Sequence, residues 1–226
     1  MSEQARGAPP AAALLQIVYG PFIARALWAV AELGVADVLE ERPRCAAEVA
    51  AALELSEDPV ERLLVALVPM GVVGDDGDGV YRNGPLGELL RSDVPGSLRA
   101  YVRYAWNLPL LRAWDGILDV LRSGEPSFAA ANGAPFFEYL RQNRDLGARF
   151  AAAMTSLTEG TLPALVAALR AERFGVLVDV GGGEGLLLAA LLEAVPTLRG
   201  VLLDSQPLSS KRTPCLLRAG SRTAVR

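Results

Sequence analysis

Apolar positions along the first third of the chain follow a helical period. From about Leu14 to Leu33 they run round most of the circumference, so a helix is predicted whose apolar surface exceeds what one small domain can cover. Part of that surface must then face something other than its own domain, the alternative being a central core helix of a monomer. Further helices are predicted at about Ala46–Ala52, Pro59–Met70 and Gly84–Leu90. Between the last two lies Val72-Val-Gly-Asp-Asp-Gly-Asp-Gly-Val-Tyr81, two β-prone ends around a Gly/Asp turn, which predicts a short ribbon. Helices and a wing in this order predict a winged helix. Helical periodicity then continues through Gly96–Asn107, Leu110–Arg122, Phe136–Gln142 and Leu146–Thr158.

The pattern changes at Val176. Val176-Leu-Val-Asp-Val180 has apolar residues on both sides of Asp179, as a strand of a parallel sheet covered on both faces would. Gly181, Gly182, Gly183 and Gly185 follow and open a predicted helix from Glu184 to Ala194. Bare backbone at a helix start lets a ligand approach the N–H groups there. A second strand, Gly200-Val-Leu-Leu-Asp204, ends on an acid placed to accept hydrogen bonds from a ribose diol. A dinucleotide fingerprint would need a glycine where Leu186 stands, which disfavours a pyrophosphate ligand. The competing reading is a glycine-rich connection between a core strand and a core helix.

The alternation Asp179-x-Gly181-x-Gly183-x-Gly185 resembles the motif of class I S-adenosylmethionine methyltransferases. From about Ile23 to Asp204 the chain resembles one branch of that class, the plant-type and actinomycete small-molecule O-methyltransferases. The resemblance is carried by Ala31-Glu-Leu-Gly-Val-Ala-Asp-Val-Leu39, Val60-Glu-Arg-Leu-Leu-Val-Ala-Leu67, Gly84-Pro-Leu-Gly-Glu-Leu-Leu-Arg-Ser92, Pro135-Phe-Phe-Glu-Tyr-Leu140 and Phe150-Ala-Ala-Ala-Met154, in that order ahead of the glycines. It implies a mainly α winged-helix dimerisation domain at 11–95 and a helical bridge at 96–170 lining an acceptor pocket. It also implies the start of an α/β Rossmann-like methyltransferase domain at 171–204. It implies S-adenosylmethionine as cofactor, an aromatic small molecule of secondary metabolism as acceptor, and a homodimer. By the same resemblance Phe150 and Met154 line the pocket beside the sulfonium, and Thr158 offers a hydroxyl to the cofactor's carboxylate. Trp106, Trp114, Phe136, Phe137 and Tyr139 could also line a pocket for an aromatic ligand, or simply build core.

Charge narrows the winged-helix reading. Met1 to Arg170 carries 15 Arg against 21 acids. Glu57, Asp58 and Glu61 stand on the would-be recognition segment, and Asp75, Asp76 and Asp78 at the wing tip, so a nucleic-acid partner is not expected. Gln16, Pro21 and Arg25 interrupt the first apolar run and Glu3 precedes it, which argues against a membrane span and a secretory signal; the expected compartment is the cytoplasm. Two cysteines, Cys45 and Cys215, and no His imply neither a disulfide framework nor a zinc site.

The chain departs from the family in two ways. Methyl transfer to a phenol calls for a base, commonly His, and this chain has none, so no catalytic residue is assigned. In the family the base and the acceptor-binding acids lie beyond the equivalent of Asp204, and here 22 residues follow it. Ser205–Arg226 carries five basic residues and no acid, and holds Lys211, the one lysine of the chain. That abrupt change reads as a shifted or shortened reading frame and an unstructured tail, with a basic partner-binding tail as the alternative. The chain alone is therefore expected to be inactive. Alternative functions are a cofactor-binding relative that does not transfer methyl, hydroxylase-like or decarboxylase-like, and a non-catalytic dimerisation partner of an intact paralogue.

Overall fold

The computed structural model describes residues 9–204; Glu3 and the basic segment after Asp204, with Cys215, lie outside them. The chain divides into two compact units, Met1–Val94 and Pro95–Arg226.

The first unit opens with α1 (Pro10–Leu33), which has proline at its first position, where no N–H is needed, and stops at Gly34 in the left-handed region. Pro21 does not break it. The helix is long and apolar enough to cross a bilayer by length and composition, a test that core helices of soluble proteins also pass. Helix α2 (Val35–Val38), strand β1 (Arg44–Cys45), α3 (Ala46–Ala52), α4 (Glu57–Leu67), β2 (Val73–Gly77) and β3 (Val80–Asn83) follow. The strands form an antiparallel sheet in the order β1-β3-β2, so the wing leans on a two-residue strand too short to leave a periodic signal. Val30, Val35, Val49, Leu64 and Leu67 form the centre of the core. Asn83, buried at the end of the wing, donates its side-chain amide to Ala36 O at 2.8 Å.

The helix expected at Gly84–Leu90 is only a 3-10 turn, Glu88–Leu90. A Cβ on Gly84 would stand 2.3 Å from Gly71 O, and one on Gly87 2.2 Å from Val72 O. These glycines serve close backbone contact, not a helix.

The second unit begins with α5 (Arg99–Ala105), α6 (Leu108–Asp115), α7 (Ile117–Ser123), α8 (Phe128–Asn132), α9 (Phe136–Gln142) and α10 (Arg144–Leu169). The single helix expected at Leu110–Arg122 breaks at Gly116, where Ser127 fills the space a side chain would need and donates its hydroxyl to Ala113 O at 2.7 Å. Helix α10 runs eleven residues beyond the expected end at Thr158, through Gly160 and Pro163. It packs against α5, and the buried Ser156 hydroxyl bonds Ser97 O at 2.5 Å.

Strand β4 (Val176–Val180), helix α11 (Leu186–Ala194) and strand β5 (Arg199–Leu203) close the described chain. The strands are parallel, Val176 opposite Arg199 and Val180 opposite Leu203. Leu188, Leu191 and Leu192 of α11 bury with Leu198 and Leu202, and Gly200 leaves room for Leu188 and Leu192 to lie on the strand. β4 is not covered on both faces as the sequence suggested: Val176, Val178 and Val180 are 54, 51 and 78% exposed. Among the described residues only the face carrying Leu177 and Asp179 is packed, since one crossover helix covers one face of a sheet.

Candidate functional site: the glycine turn

The site grows from the end of β4. Gly181 N–H continues the ladder to Leu203 O at 2.7 Å, after which the chain leaves the sheet. Gly181, Gly183 and Gly185 have φ of 74°, 57° and 80°, a region L-residues with side chains rarely occupy. Gly182 is required for a different reason. A Cβ there would lie 2.3 Å from Asp179 Oδ2 and 2.6 Å from Leu202 Cδ1, because the Asp179 side chain is tucked beneath the turn. A Cβ on Gly181 or Gly183 would meet nothing within 4 Å, so this backbone borders open space that a ligand can enter. Gly185 N–H donates to Gly182 O at 2.9 Å, and α11 starts at Leu186, two residues after the expected Glu184, because the turn itself consumes them.

Asp204, one residue past β5, accepts the Gly183 N–H at 2.6 Å through Oδ2. The two acids lie close enough to interact: burial first and the Asp204 charge second push the Asp179 carboxyl above the usual carboxylate range. Ionised Asp179 therefore opposes folding at neutral pH and is relieved as pH falls towards its raised value.

The structure separates two neighbouring hydroxyls. Thr158 donates to Met154 O at 3.0 Å on its own helix, whereas Thr155, one turn earlier, reaches Glu184 Oε2 in the glycine turn at 3.4 Å. Thr155 and Glu184 were not singled out from sequence, since a threonine within a helix and an acid between glycines carry no signal of mutual contact.

Phe150 stands in an aromatic cluster, with ring centroids 5.4 Å from Tyr104, 5.5 Å from Phe136 and 6.1 Å from Phe137. Phe128 extends it towards Phe136 and Tyr139. Burial pushes the Tyr104 phenol up to about 12, so it stays protonated. Met154 is half-buried on the same helix as Phe150, while Trp114 is 67% exposed and takes no part in the cluster. An open groove of about 470 Å³, lined by Pro109, Tyr139, Gln142 and Leu146 among others, does not include the turn.

Comparison with known proteins gives this geometry a family. Residues 15–93 match the O-methyltransferase dimerisation domain and residues 114–225 the O-methyltransferase domain. The chain belongs to the O-methyltransferase family. The second match reaches past Asp204 into the basic C-terminal segment, so the similarity does not end where the composition changes. The O-demethylpuromycin-O-methyltransferase of Streptomyces alboniger is 35% identical over 85% of this chain and 51% of its own length. The crystal structure of LaPhzM superposes with a TM-score of 0.85 at 29% identity, covering 97% of this chain and 66% of that one. NcsB1, an O-methyltransferase from neocarzinostatin biosynthesis solved with S-adenosylmethionine and 2-hydroxy-5-methyl naphthoic acid, gives a TM-score of 0.69 at 33% identity over 90% of this chain and 64% of its own. The chain thus spans between about half and two thirds of the length of these relatives.

The dimerisation-domain match lies within the first unit, and the methyltransferase-domain match takes in α7 to α10 as well as β4, α11 and β5.

Proposed function

We propose that this chain provides the donor half-site of an S-adenosylmethionine-dependent O-methyltransferase acting on a hydroxyl of an aromatic small molecule of secondary metabolism. The observation that carries the proposal is the Asp204 carboxylate at the tip of β5, held on the Gly183 N–H at the open edge of the glycine turn, the place where an acid receives a ribose diol. Gly181, Gly182, Gly183 and Gly185 give the ligand access to backbone, and Asp179 packs the turn from below. Thr158 is assigned to the methionyl end, and Phe150 and Met154 to the acceptor wall. The NcsB1 complex supports this reading of donor and acceptor classes. S-adenosylmethionine supplies an electrophilic methyl on a sulfonium; the chain's part is to orient donor and acceptor and to exclude water. A homodimer through the first unit and a cytoplasmic location complete the proposal.

A second reading, a non-catalytic partner of an intact relative, is favoured by the match of residues 15–93 to the dimerisation domain. Labelled methyl transfer and co-purification with such a relative separate the two.

Calorimetry tests the half-site. S-adenosylmethionine should bind the 226-residue chain more weakly than micromolar, because the described residues wall only part of the ligand, and Asp204→Ala should remove the binding heat. Tight micromolar binding, or binding unchanged by Asp204→Ala, would contradict the assignment.

A further inference from the structure

The glycine turn is held from two sides. From β5, Asp204 accepts the Gly183 N–H at 2.6 Å; from α10, the Thr155 hydroxyl donates to Glu184 Oε2 at 3.4 Å. Helix α10 also carries Phe150 and Met154, the residues assigned to the acceptor wall, and it packs on α11, which the turn opens. We propose that Thr155 and Glu184 form a brace that fixes the donor turn relative to the acceptor helix, and so act as positioning residues for methyl transfer. This rests on the donor-site reading above.

The chemistry requires such a link. In-line displacement at a sulfonium methyl tolerates little error in the distance between acceptor oxygen and donor carbon. The turn, with glycine at four of the five positions 181–185, has little intrinsic stiffness. Glu184 is the one residue among them with a side chain, and that side chain meets α10 one residue beyond Met154. A shift of α10 when an aromatic acceptor seats against Phe150 would reach the turn through this contact. Val at 155, close to Thr in shape, would keep the helix and remove the link.

A double-mutant cycle read by amide hydrogen exchange tests the brace in the ligand-free chain. Thr155→Val should speed exchange at the Gly183 and Gly185 amides by about three- to tenfold, the range for losing one modest bond to a carboxylate. Thr155→Ser should restore protection. Thr161→Val, the same chemical change further along α10 at a hydroxyl that bonds only Leu157 O and Thr158 O, should change nothing at the turn. Glu184→Ala should reproduce the effect of Thr155→Val, and the double variant should add nothing further. Should Glu184→Ala unfold the chain, Glu184→Met, which keeps the length and has no oxygen acceptor, completes the cycle with Thr155→Val. Exchange at the turn unmoved by Thr155→Val, additive effects in the double variant, or failure of Thr155→Ser to restore protection would overturn the brace. A wild-type chain that binds no S-adenosylhomocysteine would count against the donor-site reading, and the exchange cycle would still decide the brace.

Discussion

Replacing Gly182 by alanine should do more damage to this protein than any other single methyl group added in the glycine turn. The new Cβ would fall 2.3 Å from Asp179 Oδ2, 2.5 Å from its Cγ and 2.6 Å from Leu202 Cδ1, far inside van der Waals contact. Asp179 is anchored in β4 opposite Leu202, so it cannot withdraw without disturbing the parallel ladder that carries both ends of the site. Overpacking of this kind costs about 1–3 kcal/mol, enough to lower a denaturant midpoint visibly and to displace Gly183 from Asp204. Nucleoside binding should be lost along with the stability. Gly181→Ala gives the contrasting case: its Cβ meets open space, and the penalty is the backbone strain of φ 74°, about 1–2 kcal/mol. Adding Asp179→Ala should recover more of the stability lost in Gly182→Ala than of that lost in Gly181→Ala, since relief of the Asp179 charge is common to both and relief of the clash is not. Equal recovery in both would mean that the Asp179 clash is not the cause.

Placing a charge on the outer face of α1 should separate the dimer. Leu14, Leu15, Ile17, Val18, Tyr19 and Phe22 are between 50 and 74% exposed, whereas Val30 and Ala31 are the buried positions of the same helix. The N-terminal half of α1 therefore presents a contiguous apolar surface that its own unit leaves uncovered, and the match to a dimerisation domain begins within it, at residue 15. Burying an Ile or Phe side chain contributes about 1.5–3 kcal/mol, so Ile17→Arg or Phe22→Arg should weaken self-association by more than about tenfold even before the cost of a buried charge is counted. Sedimentation or light scattering should find a dimer for the unaltered chain and a monomer for either variant at the same concentration. A monomeric wild type, or variants that remain dimeric, would overturn this. Partition of α1 into vesicles would replace the protein partner with a bilayer, which the length and composition of α1 permit.

What the sequence made legible was the part written in local patterns. Ala46–Ala52, Phe136–Gln142 and Val176–Val180 appear at the expected bounds because capping residues, aromatic spacing and an apolar run mark them locally. The misjudged elements depend on tertiary contact. Gly116 breaks a helix because Ser127, eleven residues on, inserts beside it, and Gly84 and Gly87 serve a close backbone approach to Gly71 and Val72 that only the fold creates. The helix expected to end at Thr158 continues through Pro163 to Leu169. At the site, the glycines and Asp204 were readable because φ and bare backbone constrain residue type directly. Thr155 and Glu184 were not, since a bond across 29 residues leaves no spacing to recognise.

A titration of isotopically labelled chain with S-adenosylhomocysteine, followed amide by amide, tests the assignment of the donor site most directly. The shifts should concentrate at Gly181–Gly185, Leu186 and Asp204, extend to Thr155, and vanish with Asp204→Ala. Shifts confined to the groove at Pro109, Tyr139, Gln142 and Leu146, or none at millimolar ligand, would contradict it.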